Sequence, residues 1–284
     1  MPRAKHGLRA LRRRAIHALL EEFAGTVALT AVDPRETIAG LRPEWTLGVL
    51  EPSCEYIDVA RLHGDYLAAA KRAGVALMLS AGIVSAERDG HWRIETRAGR
   101  FEAEVLVNAA GAWADPVARA CGVRTLGIAA FRRTMVQLKT DPAPPAGNPL
   151  VSHIGGSFYW KPEAGGRLWL SPHDEIASDP CDSQPEDIDV ATAIDRFERV
   201  VDWRVEKLEH KWAGLRSFAP DRLPVYGFDA TVPGYFWCVG QGGFGIQTAP
   251  AAARLAAALA LRTAPDPVVS GIDAALYRPG RFAA

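Results

Sequence analysis

Apolar residues recur along this chain with two periods, and the changes of period mark its elements. Between Asp58 and Gly74, Val59, Leu62, Tyr66 and Ala70 fall three to four residues apart, the spacing of one helix face. Asp58 suits the N-cap, where a carboxylate accepts from a free backbone N–H. Gly74 suits the left-handed position that ends a helix. Asp187 to Val201 repeats the pattern through Val190, Ile194, Phe197 and Val201. Near the N-terminus, Leu8, Leu11, Ile16, Leu19 and Phe23 form a third apolar face on an Arg-rich segment. A surface helix is preferred there to a targeting peptide.

Elsewhere the spacing is that of strands. Val75 to Ser80 reads as a strand, continued by Ile83-Val84. Asp89-Gly90 is a hairpin signal, Trp92, Ile94 and Thr96 alternate after it, and Gly99 marks the next turn. Val105-Leu106-Val107 has the composition of a strand buried on both faces. It leads into Asn108-Ala109-Ala110-Gly111 and a short helix with Asp115 as cap and Pro116 at its first position. Thr125 to Leu170 is mostly strand-like, broken by a Pro/Gly loop from Asp141 to Pro149. After a turn at Pro220 to Pro224 come a strand at Tyr235 to Val239, a glycine loop, and an Ala-rich helix starting near Pro250. A helix–sheet unit, an antiparallel insert and a return to the first unit predict a mixed α/β (α+β) fold. Each of its two domains is built from discontinuous segments.

Composition removes several functions. Lys+Arg and Asp+Glu both number 33, so no basic surface for nucleic acid or acidic membrane is expected. The four cysteines (Cys54, Cys121, Cys181, Cys238) are isolated, too sparse for a disulfide framework and wrongly spaced for zinc. Reduced thiols imply a cytoplasmic location. No apolar run reaches the roughly 18 residues that span a bilayer, and no histidine has metal-ligand spacing.

Three stretches carry chemistry. Gly240 to Pro250 (GQGGFGIQTAP) sets four glycines between a strand and a helix. The backbone there can approach a flat ligand, and the helix start offers free N–H groups to an anion or to a ring that becomes anionic, such as a reduced flavin. A plain turn is an equal reading. Trp212 to Asp221 (WAGLRSFAPD) places Arg216 among small and apolar neighbours, poised for a carboxylate or else paired with Asp221. Val105 to Trp113 (VLVNAAGAW) is a strand ending in small residues, suited either to a ligand-contacting sheet edge or to tight packing.

Together these stretches resemble, in order and spacing, flavin oxidoreductases of the D-amino-acid oxidase superfamily. The likeness extends to Ile57-Asp58, Arg132-Arg133-Thr134 and Ser157 to Pro162 (SFYWKP), and WAGLRSF with QGGFGIQT is most similar to the D-arginine dehydrogenase branch. The resemblance implies FAD as cofactor, held noncovalently because no cysteine lies between Gly214 and Ala219. It implies that Arg216 binds the substrate carboxylate, with Tyr159 hydrogen-bonding it and Arg133 assisting. Gly243 and Gln247 would line the flavin and substrate cavity. Val84 and Ala110-Gly111 would touch the nucleotide by backbone, and Trp113, Gly242, Gly245, Ile246 and Thr248 would fall on the cofactor side. The implied domains are 1–51 (N-terminal helix and edge of the substrate domain), 52–124 (FAD-binding), 125–211 (substrate) and 212–284 (FAD-binding, C-terminal part). The family's opening strand, G-x-G-x-x-G turn and helix have no counterpart before Val84, so the Rossmann-like domain is expected to be incomplete, its first segment supplied upstream or in trans. The implied reaction converts a small-molecule substrate, a D-amino acid, to an imino acid, then to a 2-oxo acid and ammonia. A glycine or sarcosine oxidase, a non-catalytic remnant and a subunit of a split enzyme are the alternatives.

Overall fold

The computed structural model describes residues 15–282. A helix, α1, ends at residue 22. It is followed by β1 (Thr30–Val32), β2 (Gly48–Leu50), α2 (Val59–Arg72), β3 (Ile83–Asp89), β4 (His91–Thr96), β5 (Gly99–Ala103), β6 (Leu106–Asn108) and α3 (Ala114–Ala120). The middle of the chain forms β7 (Ala129–Asp141), β8 (Val151–Ser152), β9 (Tyr159–Glu163), β10 (Arg167–Ser171), β11 (Ile176–Ala177) and α4 (Asp187–Glu198). β12 (Arg204–Phe218), β13 (Val225–Phe228), β14 (Tyr235–Val239) and α5 (Gly245–Leu261) complete it. Leu8 and Leu11 of the proposed N-terminal face lie outside the described residues.

Two units emerge, each from separate segments. The first holds the described residues up to Tyr56, Arg132–Ile176 and Asp182–Gly214. Its sheet runs β11-β7-β10-β9-β8, with β12 also on β7. Antiparallel register sets Leu168 opposite Leu138 and Pro162, so side chains sort onto two faces. Val136, Leu138, Trp160, Leu168 and Leu170 form the inner face and are fully buried with Val190, Ala193 and Phe197 of α4 and with Trp203. Met135, Gln137, Tyr159, Lys161 and Trp169 alternate onto the other face and stay half-buried. The helix expected over Asp187 to Val201 is α4, with Val190 and Phe197 inward.

The second unit holds Ile57–Phe131, Ala177–Cys181 and the chain from Leu215 onward. Its sheet β13-β14-β6 pairs β14 with β6 in parallel and with β13 antiparallel, and β3-β4-β5 form a separate meander. Trp92, Val225, Tyr235, Trp237 and Val239 are buried around Ala114 and Ala118 of α3.

Four local expectations need correction. Residues 75–80 form no strand, and Val75, Leu77, Met78 and Leu79 are each more than half exposed. α2 forms where expected, with the Asp58 carboxylate accepting from the Arg61 N–H at 3.0 Å, yet it buries no residue. β6 is not covered on both faces, since Val107 is 50% exposed. These three corrections have one cause. Extended chain becomes a strand only where another edge answers its N–H and C=O groups, and an apolar stripe is buried only where something covers it. Among the described residues nothing does either for these segments. Fourth, Asp115 does not cap α3. It sits inside the first turn, buried, and accepts the N–H groups of Leu126, Gly127 and Ile128 at 3.0–3.3 Å. Burial pushes its carboxyl above the usual range, with the three backbone bonds opposing the shift.

The contrast between a covered and an uncovered apolar face is testable. Leu168→Ala, at a fully buried position, should cost about 2–5 kcal/mol. Tyr66→Ala, on the uncovered face of α2, should stay within about 0.5 kcal/mol. Urea unfolding followed by far-ultraviolet circular dichroism measures both; equal losses would contradict this placement of the cores.

Candidate functional site

Strand β12 ends beside the glycine loop that follows β14, and their register builds the site. Phe218 bridges Gln241, and the Gly242 N–H donates to the Ser217 carbonyl at 2.8 Å. Alternation then puts Arg216 and Phe218 on one side of β12, facing Gly243 and Gly242. A β-carbon at Gly242 would lie 2.6 Å from the Phe218 ring, and Gly242 also holds φ +58, so two constraints require glycine. A β-carbon at Gly243 would meet only Arg216, 3.0 Å from Nη1. Gly243 has ordinary φ, so packing does not dictate its identity.

Arg216 is half-buried, and among the described residues it has no ion-pair partner. The alternative pairing with Asp221 is ruled out: Asp221 holds Arg281 through bonds of 2.7 and 3.1 Å. That ion pair keeps the Asp221 carboxyl below the ordinary carboxylate range. Behind the loop, α5 starts at Gly245, five residues earlier than expected, and carries Pro250 within it. Phe244 occupies the N-cap and its side chain makes no capping bond. A long helix thus presents uncapped N–H groups and its positive dipole end at the loop. A β-carbon at Gly245 would lie 3.0 Å from that of Gln241, Ile246 is 51% exposed, and Gln247 is exposed. The Thr248 hydroxyl is bonded to the Phe244 carbonyl at 2.8 Å.

The third stretch is shaped by Asn108. This buried amide donates to the Ala114 carbonyl (2.8 Å) and the Tyr235 hydroxyl (2.7 Å), and accepts from the Ala110 N–H (3.2 Å). The Ala110-Gly111 turn is thereby fixed. Gly111 stands at φ +55 with open space where a β-carbon would be, and Trp113 is 46% exposed. Val84, 61% exposed, lies at an irregularity of the β3–β4 ladder.

Tyr159 and Arg133 belong to the other unit. The Tyr159 hydroxyl donates to Met135 Sδ at 3.1 Å. Arg133 is almost fully buried and binds Glu175 Oε1 through Nη2 at 3.2 Å. Its neighbour Arg132 holds Glu186 and Asp189 of α4, the latter at 2.8 Å, and is a structural residue.

Phe218, Asn108 and Tyr235 carry positioning roles that reading the sequence missed. One signal was present: Gly240, Gly242 and Gly245 have G-x-G-x-x-G spacing between a strand and a helix. Here the middle glycine makes room for Phe218, and a 3₁₀ turn at Pro267–Val269 follows α5 in place of a parallel strand. The loop therefore has the strand–turn–helix half of a dinucleotide motif.

The sequence matches the family described as FAD dependent oxidoreductase (DAO) over residues 4–259. It is 28% identical over 207 residues to hydrogen cyanide synthase subunit HcnC of Pseudomonas aeruginosa, covering 71% of this chain and 48% of that one. It is 30% identical over 126 residues to human mitochondrial dimethylglycine dehydrogenase, 43% of this chain and 14% of that one. The chain thus spans about half the length, or less, of these curated relatives. Among solved structures, L-proline dehydrogenase from P. horikoshii superposes with a TM-score of 0.78 at 19% identity, over 98% of this chain and 74% of that one. Glycine oxidase from Geobacillus kaustophilus gives 0.75 at 21% identity, over 91% and 70%. The mixed α/β fold with its large antiparallel sheet is the fold of these proteins.

The two central glycines should separate in their effects. Gly242→Ala is expected to cost about 1–3 kcal/mol through strain and the Phe218 collision. Gly243→Ala should stay within about 0.5 kcal/mol, because only the end of a flexible side chain has to move. Urea midpoints of the two variants check this; a larger loss at Gly243 would refute this register between β12 and the loop.

Proposed function

The chain belongs to the family of FAD-dependent oxidoreductases, and on that premise we propose that the complete protein oxidises a D-amino acid with Arg216 as carboxylate anchor. One observation carries the proposal. Arg216 is a half-buried guanidinium with no ionic partner among the described residues, set against the side-chain-free backbone of Gly243. Its planar fork suits a carboxylate, which it grips through two parallel hydrogen bonds. The likeness of WAGLRSF and QGGFGIQT to the D-arginine dehydrogenase branch supports the D-amino acid over other amines.

The residues present fit the cofactor. Gly111 leaves open the space that a side chain would fill, Gly243 keeps a side chain from the Arg216 guanidinium, and the uncapped start of α5 suits negative charge at a ring edge. Exposed Val84, Val107, Trp113 and Ile246 supply apolar surface in the same unit. Burial pushes the Cys238 thiol up, away from the nucleophilic thiolate, in keeping with noncovalent attachment. When bound, FAD takes the hydride equivalent that leaves the substrate Cα. Arg216 fixes the carboxylate and so the direction of the Cα–H bond. Gly243 lets the substrate reach that guanidinium. The Tyr159 hydroxyl is proposed as a further donor to the substrate. Arg133, already bound to Glu175, is assigned an assisting part through that pair. The released imino acid is hydrolysed by water to a 2-oxo acid and ammonia.

A second reading, that this chain works with another polypeptide segment, is favoured by the uncovered face of α2 and the free edge of β6. Such a segment would add a strand beside β6 and bury Val107. Expression of the chain with and without a co-expressed segment carrying a strand, a G-x-G-x-x-G turn and a helix, comparing amide exchange in Leu106–Asn108, tests it. Unchanged exchange would refute this second reading.

Arg216→Ala should lower kcat/KM for a D-amino acid about 10²–10³-fold, the size of a broken buried charge pair. Arg216→Lys should not restore it, because an ammonium has no planar fork. Steady-state kinetics decide; an Arg216→Ala enzyme within threefold of the wild type would overturn the assignment. Gly243→Val should reduce FAD or substrate affinity while leaving the melting temperature nearly unchanged.

A further inference from the structure

In the first unit, the segment Pro172 to Glu175 is tied down at every residue. The Pro172 carbonyl accepts from Arg196 Nη1 at 2.5 Å, and the same nitrogen reaches the Ser157 carbonyl at 2.5 Å. The His173 N–H donates to Ser171 Oγ at 3.1 Å. The Asp174 carboxylate accepts the Thr134 N–H at 2.9 and 3.1 Å, and Glu175 holds Arg133. In the middle of this frame His173 stands at φ 55, a left-handed conformation disfavoured for any residue with a β-carbon. Strain of this kind persists only where the surroundings enforce it, and it gathers at functional sites.

The imidazole is held as firmly as the backbone. Nδ1 lies 2.5 Å from the Gly156 carbonyl oxygen. A carbonyl only accepts, so Nδ1 carries the proton, and in the neutral ring Nε2 presents a lone pair. Among the described residues Nε2 has no hydrogen-bond partner. The ring packs edge-on against Tyr159, with centroids 5.5 Å apart and planes at 82°. Gly156, at φ +66, would place a β-carbon 3.3 Å from Nδ1, so turn and ring are fitted to each other. A purely structural role would be served as well by asparagine, which tolerates this φ better and offers an amide N–H.

We propose that His173 reads the substrate: its Nε2 lone pair accepts a hydrogen bond from a primary-amine or ammonium group of a ligand held beside Tyr159. This rests on the reading that Tyr159 contacts the substrate. His173 selects for an amine-bearing ligand, whereas the Tyr159 hydroxyl can donate to a carboxylate, so the two roles are separable by ligand chemistry.

The test uses the complete protein loaded with FAD and two ligands that cannot be oxidised at Cα–H as amines. 2-Aminoisobutyrate carries the carboxylate and the amine, and isobutyrate carries the carboxylate alone. Dissociation constants are measured by calorimetry for wild type, His173→Asn and Tyr159→Phe. His173→Asn should weaken 2-aminoisobutyrate about tenfold, the loss of one hydrogen bond to a charged donor. It should leave isobutyrate within twofold and the melting temperature no lower than wild type. Tyr159→Phe should weaken both ligands. Equal weakening of both ligands by His173→Asn, or of neither, overturns the role of His173 while leaving that of Tyr159 standing. If Tyr159→Phe weakens neither ligand, the contact of Tyr159 with the substrate is wrong, and an amine-selective loss in His173→Asn still supports His173. Failure of the wild type to bind either ligand overturns both.

Discussion

The packing of the Phe218 ring on the Gly242 backbone is the contact on which the candidate site depends. It fixes the register between the end of β12 and the loop after β14, through the Phe218–Gln241 bridge and the Gly242–Ser217 hydrogen bond. Once Phe218 faces Gly242, strand alternation leaves Arg216 no choice but to face Gly243. A one-residue slip would turn Arg216 to the opposite side and bring a different residue under the loop. The site is thus a consequence of register, with one aromatic ring as its pin. The same loop opens α5, whose uncapped N-terminus is aimed wherever the pin holds it.

In the first unit the analogous device is a divided sheet. Val136, Leu138, Trp160, Leu168 and Leu170 take the inner face and are fully buried, which leaves Tyr159, Met135 and Trp169 on the half-buried side. The inner face anchors the strands, and the other face is thereby free to carry polar and aromatic groups without loss of stability. Arg196 ties the ends of two strand connections together by donating to a carbonyl of each. Such doubly bonded arginines fix loops more tightly than loop sequence would.

Burial is uneven between the elements of the second unit. Its aromatic centre around Trp92, Tyr235 and Trp237 is fully buried, and Asn108 and Asp115 have their buried polar groups matched by partners. By contrast, α2, residues 75–79 and Val107 keep their apolar atoms exposed. An exposed parallel edge and an uncovered amphipathic helix are unusual, because parallel strands are ordinarily buried on both sides. The chain also spans about half the length of HcnC.

By itself the sequence determined the helices α2 and α4, the β3–β4 turn at Asp89-Gly90, the antiparallel middle region and the strand–glycine–helix order at the C-terminal end. Each of these is set by local spacing, a capping residue or a turn dipeptide, whose physics acts within a few residues. It also isolated Arg216 as a carboxylate candidate but left its pairing open. Only the tertiary structure showed that Asp221 belongs to Arg281, because these residues are 60 positions apart. Likewise, only tertiary contacts turned Asp115 from a helix cap into an acceptor for three backbone N–H groups, left Val75 to Leu79 without a sheet, and placed His173 against Tyr159. Local periodicity states which face of an element is apolar. What covers that face, and which distant group answers a buried charge, is decided by packing between segments far apart in the chain.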